Sequence, residues 1–187
     1  AGQVSITLFT QNSNYCSVSA CASSAHSIGE SFRSIQRGES TVMIAGGSEA
    51  VVCALGIGGF AAMRALSTQN ETPEKASRPF DTIRDGFIMG EGAATLVLEE
   101  YEFAKKRGAR IYAEVCGYGA TSDAYHITHP LEDGDGGYRA MKHALEESGV
   151  LASDVDYVNT HGTSTPLGDI QESKAVAKLL KNPKNLH

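Results

Sequence analysis

Along the segment from Ala22 to Arg37, the apolar positions Ala25, Ile28, Phe32 and Ile35 recur at intervals of three and four, as one face of an α-helix requires. Gly38 follows where helices often end on a left-handed residue, so the spacing predicts a helix closed at that point. The run Val42-Met43-Ile44-Ala45, closed by Gly46-Gly47, reads as a buried strand. Ala93 to Glu99 reads as a second strand, Tyr101 to Arg107 as a short charged helix ended by Gly108, and Ile111 to Val115 as a third strand. An amphipathic helix is expected from about Tyr138 to Ser148, closed by Gly149. A strand at Tyr157-Val158-Asn159 and a helix from about Asp169 to Leu180 complete the series. Alternation of this kind predicts an α/β architecture with buried strands flanked by helices.

Two stretches do not fit the alternation. Gly56 to Phe87 carries Gly58, Gly59, Pro73, Pro79 and Gly86 and is expected to form long irregular loops. Thr121 to Gly137, rich in His, Asp and Gly, reads as another loop. Long loops inside compact domains are frequently functional.

Composition narrows the class of protein. The 187 residues suffice for one good core, and 41% hydrophobic with 20% charged residues is ordinary for a globular chain. A net charge of −6 offers no overall electrostatic footprint for nucleic acid or anionic membrane. No apolar run reaches the length of a membrane helix, and a soluble protein is expected. Cys16, Cys21, Cys53 and Cys116 form no C-x-x-C pair and no zinc spacing, so reduced thiols and no metal site are expected. No secretory signal peptide is visible; the expected compartment is the cytoplasm, or a plastid or mitochondrion if a targeting segment was removed.

Candidate chemistry lies in two places. In Val18-Ser19-Ala20-Cys21-Ala22-Ser23-Ser24 a cysteine stands where an extended segment turns into a helix. There the unpaired N–H groups and the helix dipole stabilise negative charge on sulfur, and small neighbours leave room for a substrate carbonyl. Free cysteines are also among the most buried residues, so taken singly Cys21 reads as an inert packed thiol. His161-Gly162-Thr163-Ser164-Thr165-Pro166 sits between an expected strand and helix, where α/β proteins build sites. The His161 ring can donate a hydrogen bond to a developing enolate or oxyanion. A plain turn explains the same residues equally well.

The remaining signals are weaker. His26 and His143 lie in expected helices, where packing or surface roles are ordinary, and His187 is terminal. Gly46-Gly47, Gly58-Gly59 and Gly90-Glu91-Gly92 match no phosphate-binding spacing and are best explained by tight backbone packing. Phe60 and Phe87, each beside a glycine, suit either an apolar channel or the core.

The segments SACASSAHSIGESFRSIQRG, VMIAGGSEA, GFAAMRALST, SRPFDTIRDGF, SDAYHIT and YVNTHGTSTPLGD, in that order, resemble the elongating type II β-ketoacyl-acyl-carrier-protein synthases over nearly the whole chain. The resemblance implies a thiolase-like α/β fold of two similar halves in α-β-α-β-α layers. Only part of it is expected here: residues 1–110 would be most of the N-terminal half, and residues 111–187 the beginning of the C-terminal half. It also implies a homodimer and a decarboxylative condensation, with acyl carrier protein as partner and acyl and malonyl thioesters as substrates. Phosphopantetheine would arrive on the carrier as part of the substrate, with no bound cofactor and neither nucleic acid nor membrane as partner.

On this resemblance Cys21, at the start of a buried helix, would accept the acyl group, and His161 would be the first histidine of a Cys-His-His set. Thr163 and Thr165 would hold the pantetheine arm, Phe60 would line the acyl pocket, and Phe87 would pack near the malonyl site. His126 and Thr128 would border the pantetheine tunnel, and Glu172 would pair with an active-site lysine. That lysine and the second histidine are not within the 187 residues, so the chain by itself is expected to be inactive and poorly stable as a monomer. A polyketide-type ketosynthase and a non-catalytic synthase-like carrier-binding partner are the competing readings. The presence of Cys21 speaks against the second.

Overall fold

Glycines and serines, rather than the predicted apolar stripe, set how the first helix meets the first strand. The computed structural model describes residues 2–181, and His187 lies outside them. Two compact units emerge, each discontinuous in sequence: Ala1–Glu49 with Gly92–Val115, and Ala50–Glu91 with Cys116–His187.

In the first unit, helix α1 (Gly2–Leu8) is followed by an irregular segment and a single 3₁₀ turn at Ala20–Ala22. That turn leads directly into α2 (Ser23–Gln36), which ends as expected before Gly38, whose φ is 71°. Strands β1 (Val42–Glu49) and β2 (Gly92–Glu99) pair antiparallel, from Val42 opposite Glu99 to Glu49 opposite Gly92. α2 packs on β1; Gly29, Ser31 and Ser34 are its buried residues, while Ile28, Phe32 and Ile35 are only half-buried and Ala25 is exposed. Close approach accounts for the difference. A Cβ at Gly47 would strike the Ser24 side chain, and Gly46 N–H reaches Ser27 Oγ at 3.4 Å; toward β2, a Cβ at Gly46 would strike the carbonyl of Ala94. Large side chains cannot enter so narrow a gap.

The strand Val42–Ala45 is therefore not buried as predicted. Only Ala45 is closed off, and β1 continues through the two glycines. Leu96 and Val97 on β2 are exposed as well. Helix α4 (Tyr101–Lys106) starts on Glu100, whose carboxylate accepts the Glu102 and Phe103 N–H groups at 3.1 and 2.7 Å. Arg107 closes the helix by gripping Glu99 with two nitrogens. Ile111 to Val115 forms no strand. Its apolar alternation is present, but a strand exists only within a ladder, and Ile111, Tyr112 and Val115 stay exposed.

In the second unit, part of the expected loop between Gly56 and Phe87 is helical: α3 (Ala54–Ala62), with a 3₁₀ turn at Pro73–Lys75 beyond it. The glycines of α3 have nothing within 4 Å of a built Cβ at Gly58 and Gly59, and the same holds at Gly90 and Gly92. Tight packing thus explains Gly46-Gly47 but not those positions. Leu66 and Phe87 form a parallel bridge, with Phe87 N–H donating to Ala65 C=O and Ser67 N–H to Phe87 C=O, both at 3.0 Å. Helices α5 (Asp135–Ser148) and α6 (Gly168–Leu180) pack together, joined by Lys178 to Asp135 at 3.0 Å. Tyr157 to Asn159 is not a strand, and Tyr157 remains exposed with its hydroxyl donating to Asn159 Oδ1 at 3.1 Å.

Candidate active-site elements

Cys21 is the middle residue of the Ala20–Ala22 turn, one position before α2 begins, and it is exposed. The helix behind it is half-covered rather than buried, with only Gly29, Ser31 and Ser34 closed off. Cys16, Cys53 and Cys116 are likewise exposed and outside any disulfide. The turn is closed by Ala22 N–H donating to Ser19 C=O at 3.1 Å, and Ala20 carries a φ of 49°. Ser23 and His26, on the first turns of α2, both bond back to the residues preceding the cysteine.

The His161 loop is built by two carboxylates from the helix that follows it. Glu172, one turn into α6, accepts the N–H groups of His161 and Gly162 at 2.5 and 2.8 Å, one on each oxygen. Asp169, 1% exposed, accepts Ser164 N–H at 3.1 Å and Phe80 N–H at 2.8 Å, and pairs with Arg84 Nε at 3.0 Å. Arg84 then donates to the carbonyls of Thr165 (3.0 Å), Pro166 (2.7 Å) and Asp81 (2.6 Å). Ser164 is wholly buried at a φ of 66°. Its Oγ accepts Arg78 N–H at 3.1 Å and its carbonyl accepts Gly86 N–H at 3.0 Å. The loops His161–Pro166 and Arg78–Phe87 are thus one hydrogen-bonded body, fixed although neither contains regular structure.

This body orients the other expected residues. The Thr163 and Thr165 hydroxyls meet at 2.9 Å, and Thr165 Oγ1 also accepts Gly168 N–H at 3.2 Å. The Phe60 and Phe87 rings stand edge to face with centroids 5.1 Å apart, both half-buried. Gly86, at a φ of 147°, allows the Leu66–Phe87 bridge that carries the second ring, because a Cβ there would lie 2.5 Å from the Leu66 carbonyl carbon. Asp85 anchors the adjoining turn, accepting Ser67 Oγ–H at 2.6 Å and both Thr68 N–H and Oγ1–H. The Ser67 hydroxyl, then the Thr68 amide, hold its carboxyl below the usual aspartate range.

His126 and Thr128 lie on an exposed loop. His126 Nδ1 accepts the N–H groups of Thr128 and His129, each at 3.1 Å, and its ring stacks on His129 at 4.3 Å. Two N–H donors on Nδ1 assign the proton of the neutral ring to Nε2. The expected lysine partner of Glu172 is not part of this arrangement, in which Glu172 holds loop backbone. Asp169, Arg84 and Ser164 were not singled out from sequence. Asp169 and Ser164 stand inside the His161 motif and Arg84 inside SRPFDTIRDGF, but their partners are more than eighty residues away along the chain.

A cysteine at a helix start and a backbone-pinned His-Gly-Thr-Ser-Thr loop are thus both carried on a mixed α/β scaffold. The sequence matches the β-ketoacyl synthase N-terminal domain over residues 1–104 and the C-terminal domain over residues 112–186; the chain belongs to the β-ketoacyl synthase family. It is 54% identical over 177 residues to a mitochondrial 3-oxoacyl-[acyl-carrier-protein] synthase of Arabidopsis thaliana, covering 94% of this chain and 38% of that protein. It is 55% identical over 181 residues to 3-oxoacyl-[acyl-carrier-protein] synthase 2 of Rhizobium meliloti, covering 96% and 43%. The chain therefore spans about two fifths of the length of these curated relatives.

Among solved structures, a β-ketoacyl synthase from Burkholderia phymatum superposes with a TM-score of 0.92 at 44% identity, over 96% of this chain and 43% of that one. A type II polyketide ketosynthase, solved with its acyl-carrier protein and a bound hexaketide, gives 0.94 at 39% identity, over 96% and 44%. The fold is the thiolase-like fold of ketosynthases, present in part.

Proposed function

We propose that the intact polypeptide is a 3-oxoacyl-acyl-carrier-protein synthase of fatty-acid elongation. The observation that carries this reading is the 54–55% identity to synthases so named, in a chain that holds both an exposed cysteine at a helix start and a His161 loop clamped by Glu172 and Asp169. Cys21 Sγ attacks the acyl thioester carbonyl; the carbon–sulfur bond to the carrier breaks and the pantetheine thiol leaves. Malonyl-carrier protein then loses carbon dioxide, and the electrons of the broken carbon–carbon bond form an enolate. The enolate carbon attacks the Cys21 thioester, forming the new carbon–carbon bond and releasing the thiolate. His161, its backbone held by Glu172, donates a hydrogen bond to the enolate oxygen.

In this reading Thr163 and Thr165 bind the pantetheine arm, and Phe60 and Phe87 present their edge-to-face pair to acyl and malonyl groups. His126 and Thr128 border the pantetheine path. Residues 1–110 and 111–187 belong to successive halves of a homodimeric enzyme that uses carrier-borne phosphopantetheine as substrate, in the cytoplasm or an organelle. The fatty-acid reading is preferred over a polyketide one by the higher identity to fatty-acid-type synthases than to the polyketide ketosynthase.

The test is intact-protein mass spectrometry after mixing with acyl-carrier protein, followed by malonyl-carrier decarboxylation. Wild type is expected to carry the acyl group on Cys21 and Cys21→Ala to carry none. His161→Ala is expected to acylate but to decarboxylate at least about 10²-fold more slowly. An acyl group that survives in Cys21→Ala overturns the assignment.

A further inference from the structure

The turn that presents Cys21 holds a conformation its residues resist. Ala20, immediately before the thiol, sits at a φ of 49°, where an L side chain crowds the following carbonyl oxygen. Ser19 before it has φ −148° and ψ 43°. A non-glycine residue stays in the left-handed region only where its surroundings over-determine it. Here the constraint comes from side chains of α2. Ser23 Oγ accepts Ser19 N–H and donates to Ala20 C=O, both at 2.8 Å, so a single hydroxyl grips both residues that precede the cysteine. Three positions further, on the same helical face, His26 Nδ1 meets Ser19 Oγ at 2.6 Å. Ser23 and His26 are half-buried, whereas Cys21 is exposed.

We propose that Ser23 and His26 are positioning residues for Cys21, fixing through Ser19 and Ala20 the left-handed turn that aims the thiol. Ser23 grips the backbone before the sulfur, and His26 the Ser19 side chain. The inference rests on Cys21 being the acyl acceptor.

Time-resolved alkylation of the intact polypeptide with iodoacetamide, read by mass spectrometry at each cysteine, tests it. Wild-type Cys21 is expected to react faster than Cys16, Cys53 and Cys116. Ser23→Ala, which loses both hydrogen bonds of the hydroxyl, is expected to lower the Cys21 rate about tenfold or more and to leave the other three unchanged. Ser23→Thr, which keeps the hydroxyl, is expected to restore most of the rate. His26→Leu should behave as Ser23→Ala does, and His26→Asn, which keeps a polar atom near the place of Nδ1, should recover it. An unchanged Cys21 rate in Ser23→Ala and His26→Leu overturns the proposal, as does a loss that the conservative variants fail to reverse. If Ser23→Ala unfolds, as circular dichroism would report, Ser19→Ala decides: it removes only the His26 contact, and an unchanged Cys21 rate there overturns the proposal. A wild-type Cys21 no faster than its companions overturns the acyl-acceptor reading, and the positioning proposal with it.

Discussion

Asp169 shows how much a single side chain carries at the candidate site. Its carboxylate holds two backbone N–H groups from loops far apart in sequence and faces the Arg84 guanidinium, itself only 11% exposed. Removing one partner of such a pair leaves a buried charge uncompensated, which costs more than the pair contributes. Asp169→Asn is expected to destabilise the protein by about 3 kcal/mol, read from the midpoint of urea unfolding at unchanged slope. The double variant Asp169→Asn with Arg84→Met is expected to recover part of that loss. Cys21 and His161 were legible in the sequence because each is embedded in a local motif. Asp169 and Arg84 were not, because their meaning lies in a partner that periodicity cannot place.

At the scale of elements, the ends of helices were legible and the pairing of strands was not. Gly38, Gly108 and Gly149 close α2, α4 and α5 where the pattern placed them, since a helix end depends on a few neighbouring residues. Ile111–Val115 and Tyr157–Asn159 failed because a strand depends on a distant partner. α3 was hidden because its glycines lower helix propensity and it has no amphipathic stripe. The meeting of α2 with β1 offers a test of the small-residue contact. Gly46→Ala, blocked by the Ala94 carbonyl, is expected to cost roughly 1–3 kcal/mol, and Ser24→Gly should not relieve it. Gly47→Ala, blocked by the Ser24 side chain, should be relieved by that same change. Thermal unfolding of the two pairs of variants distinguishes the cases.

For the whole molecule, the important fact is that the two units interleave along the chain. Besides Glu172 and Asp169, the His161 loop takes hydrogen bonds from Arg78, Arg84 and Gly86, so residues 111–187 do not contain everything that shapes it. Produced by itself, the segment 111–187 is expected to lose hydrogen-exchange protection at Ser164, and a peptide spanning residues 77–87 should restore part of it. Loss of protection without such recovery would show that more than this strip sets the loop. The same interleaving has a consequence in time. β1 leaves the ribosome before the whole of Ala50–Glu91 and can pair with β2 only after that stretch has been made. At about 5–20 residues per second the wait is a few seconds, during which β1 is an open edge able to pair with a neighbouring nascent chain. Wider spacing of ribosomes on the message is therefore expected to raise the share of chains that fold cleanly.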